Sequence, residues 1–348
     1  MRLIKTAWIE LVLGLLIPIG LIAAIQYNSR GVFADPDGFY HAKVSQLLEM
    51  GQLGNSFFWL PFTTWGSSYA DQHYLYHWLL VPFNSVEFLP LSLIFFTGLF
   101  IACFLLVLRR MRINAKIFWL VLLLTGSVDF LFRINLVKAN TLSLVFMFAI
   151  VLLLFSWHEN KSLWKVFLFA LISFVFVWSY GGFVFLPFIV GMYILAIFIS
   201  SRKFEYLPMI GVGVGIGLGV LLHPHHTNLV SSLANQLFQT GLGSGSVVPA
   251  GNEWLPYNID WFIKSNIILL IVWVFSLVIA GKRLVKKELK WEELWLQGLA
   301  IFFFVLAILH RRFIEYYVPF SVLSSTVVIG PYLANIKLLQ IREAFYKF

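Results

Sequence analysis

From residue 7 to residue 334 this chain alternates long apolar runs with short polar breaks, and that alternation excludes most folds. Crossing a hydrocarbon core of about 30 Å takes roughly 20 apolar residues in a helix. Apolar runs occupy residues 7–27, 91–108, 117–131, 141–157, 166–179, 183–199, 207–222, 262–280, 294–309 and 316–334. About ten spans are therefore expected, in an all-α polytopic helical bundle forming one transmembrane domain over residues 1–348. A chain that is 60% hydrophobic and only 12% charged does not stay soluble as a monomer.

The formal net charge of +9 does not point to nucleic acid, because the basic residues sit in short clusters between apolar runs, where they act as topology signals. With a cytoplasmic N-terminus, the inner side receives the clusters at residues 2–5, 109–116, 161–165, 202–203, 282–290 and 337–347, most of the 25 Lys and Arg. Arg30, Lys43, Arg133, Lys138, Lys264, Arg311 and Arg312 remain outside. The positive-inside bias thus predicts an integral plasma-membrane protein, or its equivalent, with both termini cytoplasmic. The run at 7–27 reads as a retained anchor rather than a cleaved signal. Cys103, the single cysteine, lies in an apolar run, so no disulfide framework is available within one chain.

This topology puts both long loops, residues 28–90 and 223–261, on the outer face. Long loops in a compact protein usually bind or catalyse. The first opens with Asp35-Pro36-Asp37-Gly38-Phe39-Tyr40-His41. Asp35 is placed as an N-cap, Pro36 at the first helical position, and Gly51 as the stop, which predicts a short amphipathic helix along the membrane surface. Asp37, in the first turn, is then an ionised carboxylate able to hold a divalent metal or to take a proton from an acceptor hydroxyl. Farther along, Asp71, His73 and His77 include a four-residue histidine spacing suited to a metal, although an aromatic interfacial segment accounts for them better.

Asp129, Arg133 and Lys138 are expected at the outer rim, where a cation suits a lipid phosphate or serves as a snorkelling anchor. In the second loop, His223-Pro224-His225-His226 lacks the spacing of a zinc motif and reads as hydrogen bonding to phosphate or sugar. Glu253 follows a Gly/Ser-rich stretch at 241–246 that suits closure over a ligand. It can complete a carboxylate site with Asp37. Arg311 and Arg312, adjacent on the outer face against the charge bias, suit phosphate or an acceptor carboxylate.

In order and context these motifs resemble the GT-C superfamily of integral-membrane glycosyltransferases, within it the membrane part of oligosaccharyltransferase catalytic subunits. Asp37-Gly38-Phe39-Tyr40 is similar to that family's first acidic motif, and Phe132-Arg133-Ile134-Asn135 to the entry of its second. Val177-Trp178-Ser179-Tyr180-Gly181 resembles an aromatic turn, Asn252-Glu253-Trp254 the Glu of its ordered loop, and the stretch from Arg312 to Pro319 its late Arg-bearing span. The resemblance implies transfer of a sugar or oligosaccharide from a polyprenyl-phosphate or pyrophosphate carrier to an acceptor at the outer face. It casts Asp37 and Glu253 as catalytic and as ligands of Mg²⁺ or Mn²⁺, and Arg133, Lys138, His225, Arg311 and Arg312 as donor-phosphate groups.

Two departures qualify it. Where the family has paired acids this sequence reads Leu136-Val137-Lys138-Ala139-Asn140, which argues against a normally charged metal site and leaves both Mg²⁺ or Mn²⁺ dependence and metal independence open. No soluble C-terminal domain or Trp-Trp-Asp motif follows the late Arg, so the acceptor is expected to differ from an Asn-x-Ser/Thr peptide, or a partner subunit to supply that part. The implied partners are a lipid-linked donor and membrane lipids. A transporter or flippase of lipid-linked sugar, or a non-catalytic relative, is the alternative.

Overall fold

A computed structural model of the chain describes residues 2–29, 35–113, 115–235 and 251–335. The Gly/Ser-rich stretch at 241–246, Arg30 and the basic residues after 335 lie outside the described residues. Every described element is helical. The first loop contains three short helices between long ones: α1 (Arg2–Ser29), α2 (Asp37–Glu49), α3 (Thr64–Ser67), α4 (Tyr74–Leu80) and α5 (Leu89–Arg110). Next come α6 (Lys116–Thr125), α7 (Val128–Ile134), α8 (Asn140–Glu159), α9 (Leu163–Ser179), α10 (Leu186–Ser201), α11 (Leu207–Leu221) and α12 (His226–Asn235). The bundle ends with α13 (Ile259–Val285), α14 (Trp291–Leu309) and α15 (Ile314–Asn335).

The expected count of about ten spans is too high. Among the described residues six helices are long and apolar enough to cross a membrane, or up to eight if each bent pair is one span. The reason is local geometry. The run at 117–131 breaks at Gly126-Ser127, where Ser127 caps a new helix by accepting the Phe130 N–H, and α6 and α7 meet at 88°. The run at 207–222 ends before α12 turns away by 114°. α9 has 17 residues, about 26 Å at 1.5 Å per residue, short of a full core thickness.

Glycine allows the closest helix contact. Gly211, Gly215 and Gly219 form a stripe on α11 against α9, and a Cβ on Gly215 would lie 2.1 Å from the Ala170 carbonyl oxygen. The bare backbone is what lets the two helices touch. Elsewhere large side chains fill the bundle: Phe100, Phe104, Phe130 and Phe148 are fully buried among α5, α7 and α8, and Trp295 and Tyr316 among α10, α14 and α15.

The polar residues sort to the two ends of the bundle. At one end Arg110 pairs with Glu159, Arg283 with Glu293, and Lys161 with Glu205 at 2.7 Å. These belong to the expected inner clusters. The two long loops meet at the opposite end, where Gln72 donates to Ser232 (2.7 Å) and Asn228 to the Tyr69 carbonyl (3.0 Å). The helix expected after Asp35 is α2, and Gly51 ends it with φ +67°. α2 does more than lie on a surface, because its buried face, including His41, Val44, Ser45 and Leu48, packs onto α4.

Candidate functional site

The charged residues that the sequence scatters over four segments converge on Lys138. Asp35 Oδ1 accepts the Asp37 N–H at 2.8 Å, an Asx-type turn that starts α2. The other oxygen, Asp35 Oδ2, lies 2.8 Å from Lys138 Nζ. The N-cap of α2 is Pro36, not Asp35 as expected; Asp35, one residue earlier, closes the turn into the helix and is an ion-pair partner as well. Asp37 Oδ2 lies 2.8 Å from the same ammonium, and Glu253 Oε2 3.6 Å from it. Three carboxylates thus surround one lysine.

Glu253 is the hinge of the network. Carried on a single turn, Asn252–Trp254, it accepts from Arg133 Nη1 at 3.1 Å and approaches Arg312 Nη1 at 3.6 Å. Burial alone would push its carboxyl up, but Arg312, Arg133 and Lys138 outweigh that and hold it down at about 2. Burial likewise disfavours the charged Lys138, and Glu253, Asp35 and Asp37 outweigh it, so its ammonium is held above its ordinary range.

Behind this cluster lies a buried ion pair missed in the sequence. Glu315, 0% exposed, accepts from Arg133 Nε at 2.9 Å and from Asn140 Nδ2 at 3.2 Å. Arg133, at the C-terminal end of α7 where a cation meets the negative end of the helix dipole, is thus held by two acids at once. A lone Glu at the start of an apolar span was the available signal, since a charge there needs a partner.

The cluster borders two cavities of opposite character. One, about 560 Å³, is lined by Asp35, Asp37, Asp129, Arg133, Lys138, Glu253 and Arg311. Arg311 is anchored there by donating to the Pro256 carbonyl (3.1 Å) and lies over the Tyr257 ring. The other, about 240 Å³, is lined largely by Tyr180, Phe185, Leu233, Phe302, Leu306 and Phe313, with His73, Arg312 and Trp254 at its polar edge. Trp254 belongs to both walls. Arg312 stacks over that indole at 4.2 Å and donates to Tyr180 Oη at 2.8 Å.

Of the expected site residues, Asp37, Glu253, Arg133, Lys138, Arg311 and Arg312 come together. His225 does not. Its Nδ1 lies 3.0 Å from Asn55 Oδ1 and its ring packs edge-on to Tyr69, so it braces one long loop against the other. The donor set also does not suit Mg²⁺ or Mn²⁺ between Asp37 and Glu253. An ammonium already lies between those carboxylates, and two guanidinium groups crowd Glu253, so a divalent cation would meet three like charges.

One turn below Asp37, His41 Nδ1 lies 2.8 Å from His77 Nε2, and His77 Nδ1 lies 2.7 Å from Asp71 Oδ2. Asp71 Oδ1 also accepts the His73 N–H at 2.9 Å. This histidine cluster is built, where an interfacial aromatic segment was expected, and His41 was not among the expected members. Its signal was the i, i+4 spacing from Asp37 on one helix face. Burial, then the neighbouring imidazoles, keep His41 well below its ordinary value, and burial with His77 brings His73 down to about 3. No family model matches this chain, and no curated sequence does either.

Proposed function

We propose that this chain is a GT-C-type glycosyltransferase that takes a sugar from a polyprenyl-phosphate or polyprenyl-pyrophosphate carrier at the outer membrane face. The carrying observation is the pair of adjoining cavities at one end of the bundle, one charged and one apolar, with Trp254 common to both. Such a pair suits an amphiphilic donor whose phosphate and sugar need ions while its isoprenoid tail needs aromatic and aliphatic walls.

Asp37 is the half-exposed carboxylate at the charged cavity. In the proposed reaction the acceptor nucleophile attacks the anomeric carbon, its proton passes to Asp37, and the bond to the carrier phosphate breaks with the electron pair leaving on phosphate. Lys138, Arg133 and Arg311 stabilise that developing charge. Acids and bases in the cavity are nearly balanced, so the donor phosphate must first displace a carboxylate from a cation. Asp37, the most exposed of the three acids around Lys138, is the group to yield, which also frees it to take the acceptor proton. This scheme needs no Mg²⁺ or Mn²⁺.

The test is transfer or hydrolysis of polyprenyl-linked sugar by purified protein, comparing the natural chain with Asp37→Asn. Full activity in that variant removes Asp37 from the mechanism, and no turnover of either phosphate or pyrophosphate donors by the natural chain removes the enzyme reading. A flippase of lipid-linked sugar is the second reading, favoured by the two bent helix pairs, because transporters place broken helices at their sites. Donor translocation in sealed vesicles without sugar transfer would select it.

A further inference from the structure

Three imidazoles meet where α2 crosses α4. His41 comes from α2, His73 from the N-cap of α4 and His77 from its body. One ring nitrogen of each lies within 4.8 Å of those of the other two. His41 and His77 are buried, and His73 is half-buried at the wall of the apolar cavity.

A hydrogen-bonded relay from Asp71 through His77 to His41 explains only part of this arrangement. The His73 ring packs against His41 (5.2 Å), His77 (5.9 Å) and Tyr180 (5.5 Å), and among the described residues no hydrogen bond reaches its ring nitrogens. Burial and the neighbouring imidazoles disfavour protonating His41 and His73, and one ring nitrogen of each of the three rings lies close to a common point. Asp71 supplies the outer contact that metal-binding histidines usually have, a carboxylate on the non-ligating nitrogen that fixes tautomer and ring orientation.

We propose that His41, His73 and His77 bind one zinc ion, with Asp71 holding His77 in its ligating tautomer. Tetrahedral zinc with bonds of about 2.0–2.1 Å separates ligand nitrogens by about 3.3 Å. The His41–His77 pair, at 2.8 Å, opens by about half an ångström, and the His73 ring closes in to complete the set. Ligation through His41 Nδ1 moves its proton to Nε2, so the neutral ring keeps its charge. The fourth position faces the cavity that His73 lines and takes water. Imidazole donors select zinc over Mg²⁺ or Mn²⁺. Zinc here ties α2 to α4 and so fixes Asp37, four residues before His41. Zinc binding itself does not depend on the sugar-transfer reading; only the consequence of fixing Asp37 rests on it.

Full-length protein, purified in detergent through a tag without histidine, is equilibrated with micromolar free Zn²⁺, gel-filtered and analysed for metal. One zinc per chain is expected, with near-complete loss in His73→Gln and retention in His223→Gln and His225→Gln. Zinc well below stoichiometric in the natural chain overturns the proposal, as does retention in both His73→Gln and His77→Gln, or loss in the His225 variant. Because a variant can lose metal by misfolding, cobalt loading of the natural chain gives an independent readout. Tetrahedral Co²⁺ produces intense visible bands; weak octahedral bands would equally overturn it.

Discussion

Lys138 Nζ lies 2.8 Å from Asp37 Oδ2 and draws Asp35 and Glu253 to the same point. A fixed internal cation thus holds the position between two acids where a metal was expected. If the proposed sugar transfer runs at this site, it should need no Mg²⁺ or Mn²⁺, and initial rates with and without either ion should agree. Lys138→Ala should slow transfer by about 10²–10³-fold, the usual cost of removing one group that stabilises a developing anion. That variant, left with three facing carboxylates, should in addition gain a response to Mn²⁺.

Asp37→Asn should lower turnover by about 10²–10⁴-fold, the range for loss of a positioned acid–base group, with little change in unfolding temperature, because the side chain is half-exposed. A comparable fall in folding stability would assign Asp37 a structural role instead. Steady-state transfer rates alongside thermal unfolding in detergent separate the two.

Arg133 and Glu315 form an ion pair whose side chains are 10% and 0% exposed. Removing Glu315 leaves the buried Arg133 only the partly exposed Glu253, at 3.1 Å, and breaking a buried pair typically costs about 3–5 kcal/mol. Glu315→Ala should therefore destabilise strongly, while the paired replacement Arg133→Met with Glu315→Met should recover much of the loss. Chemical unfolding of the two variants measures the difference.

Glu253 gives a pH signature. Its folded carboxyl is held at about 2 against an ordinary 4.5, so the stabilisation from its three cations is fully present above about pH 4.5 and is lost as pH falls from there through 2. The stability gap between the natural chain and Glu253→Gln, followed by thermal unfolding, should narrow over that window and stay constant from pH 5 to 8.

Gly215 and Gly217 lie two residues apart on α11 and should respond in opposite ways. A Cβ at Gly215 meets the Ala170 backbone, whereas one at Gly217 meets nothing within 4 Å. Gly215→Ala should cost about 1–3 kcal/mol through overpacking. Gly217→Ala should be neutral or stabilise by up to about 1 kcal/mol, the helix preference of Ala over Gly.

Apolar run length and the spacing of basic clusters determined that this chain is helical and membrane-embedded, because these properties depend on nearest neighbours along the sequence. Asp35-Pro36-Asp37 and Gly51 likewise marked α2 through local backbone preferences. Six of the expected site residues were legible for a related reason: charges beside apolar runs are expensive unless they share a polar environment. Which charge meets which is a matter of long-range packing. Only the tertiary structure put Lys138 among three acids, paired Arg133 with Glu315, and moved His225 to a loop contact. It also broke the run at 117–131 that composition alone counted as a whole span, since a bend at Gly126-Ser127 costs the hydropathy pattern nothing. The histidine cluster shows the same limit: His41 stands more than thirty residues from His73 in sequence, and only the packing of α2 on α4 brings their rings together.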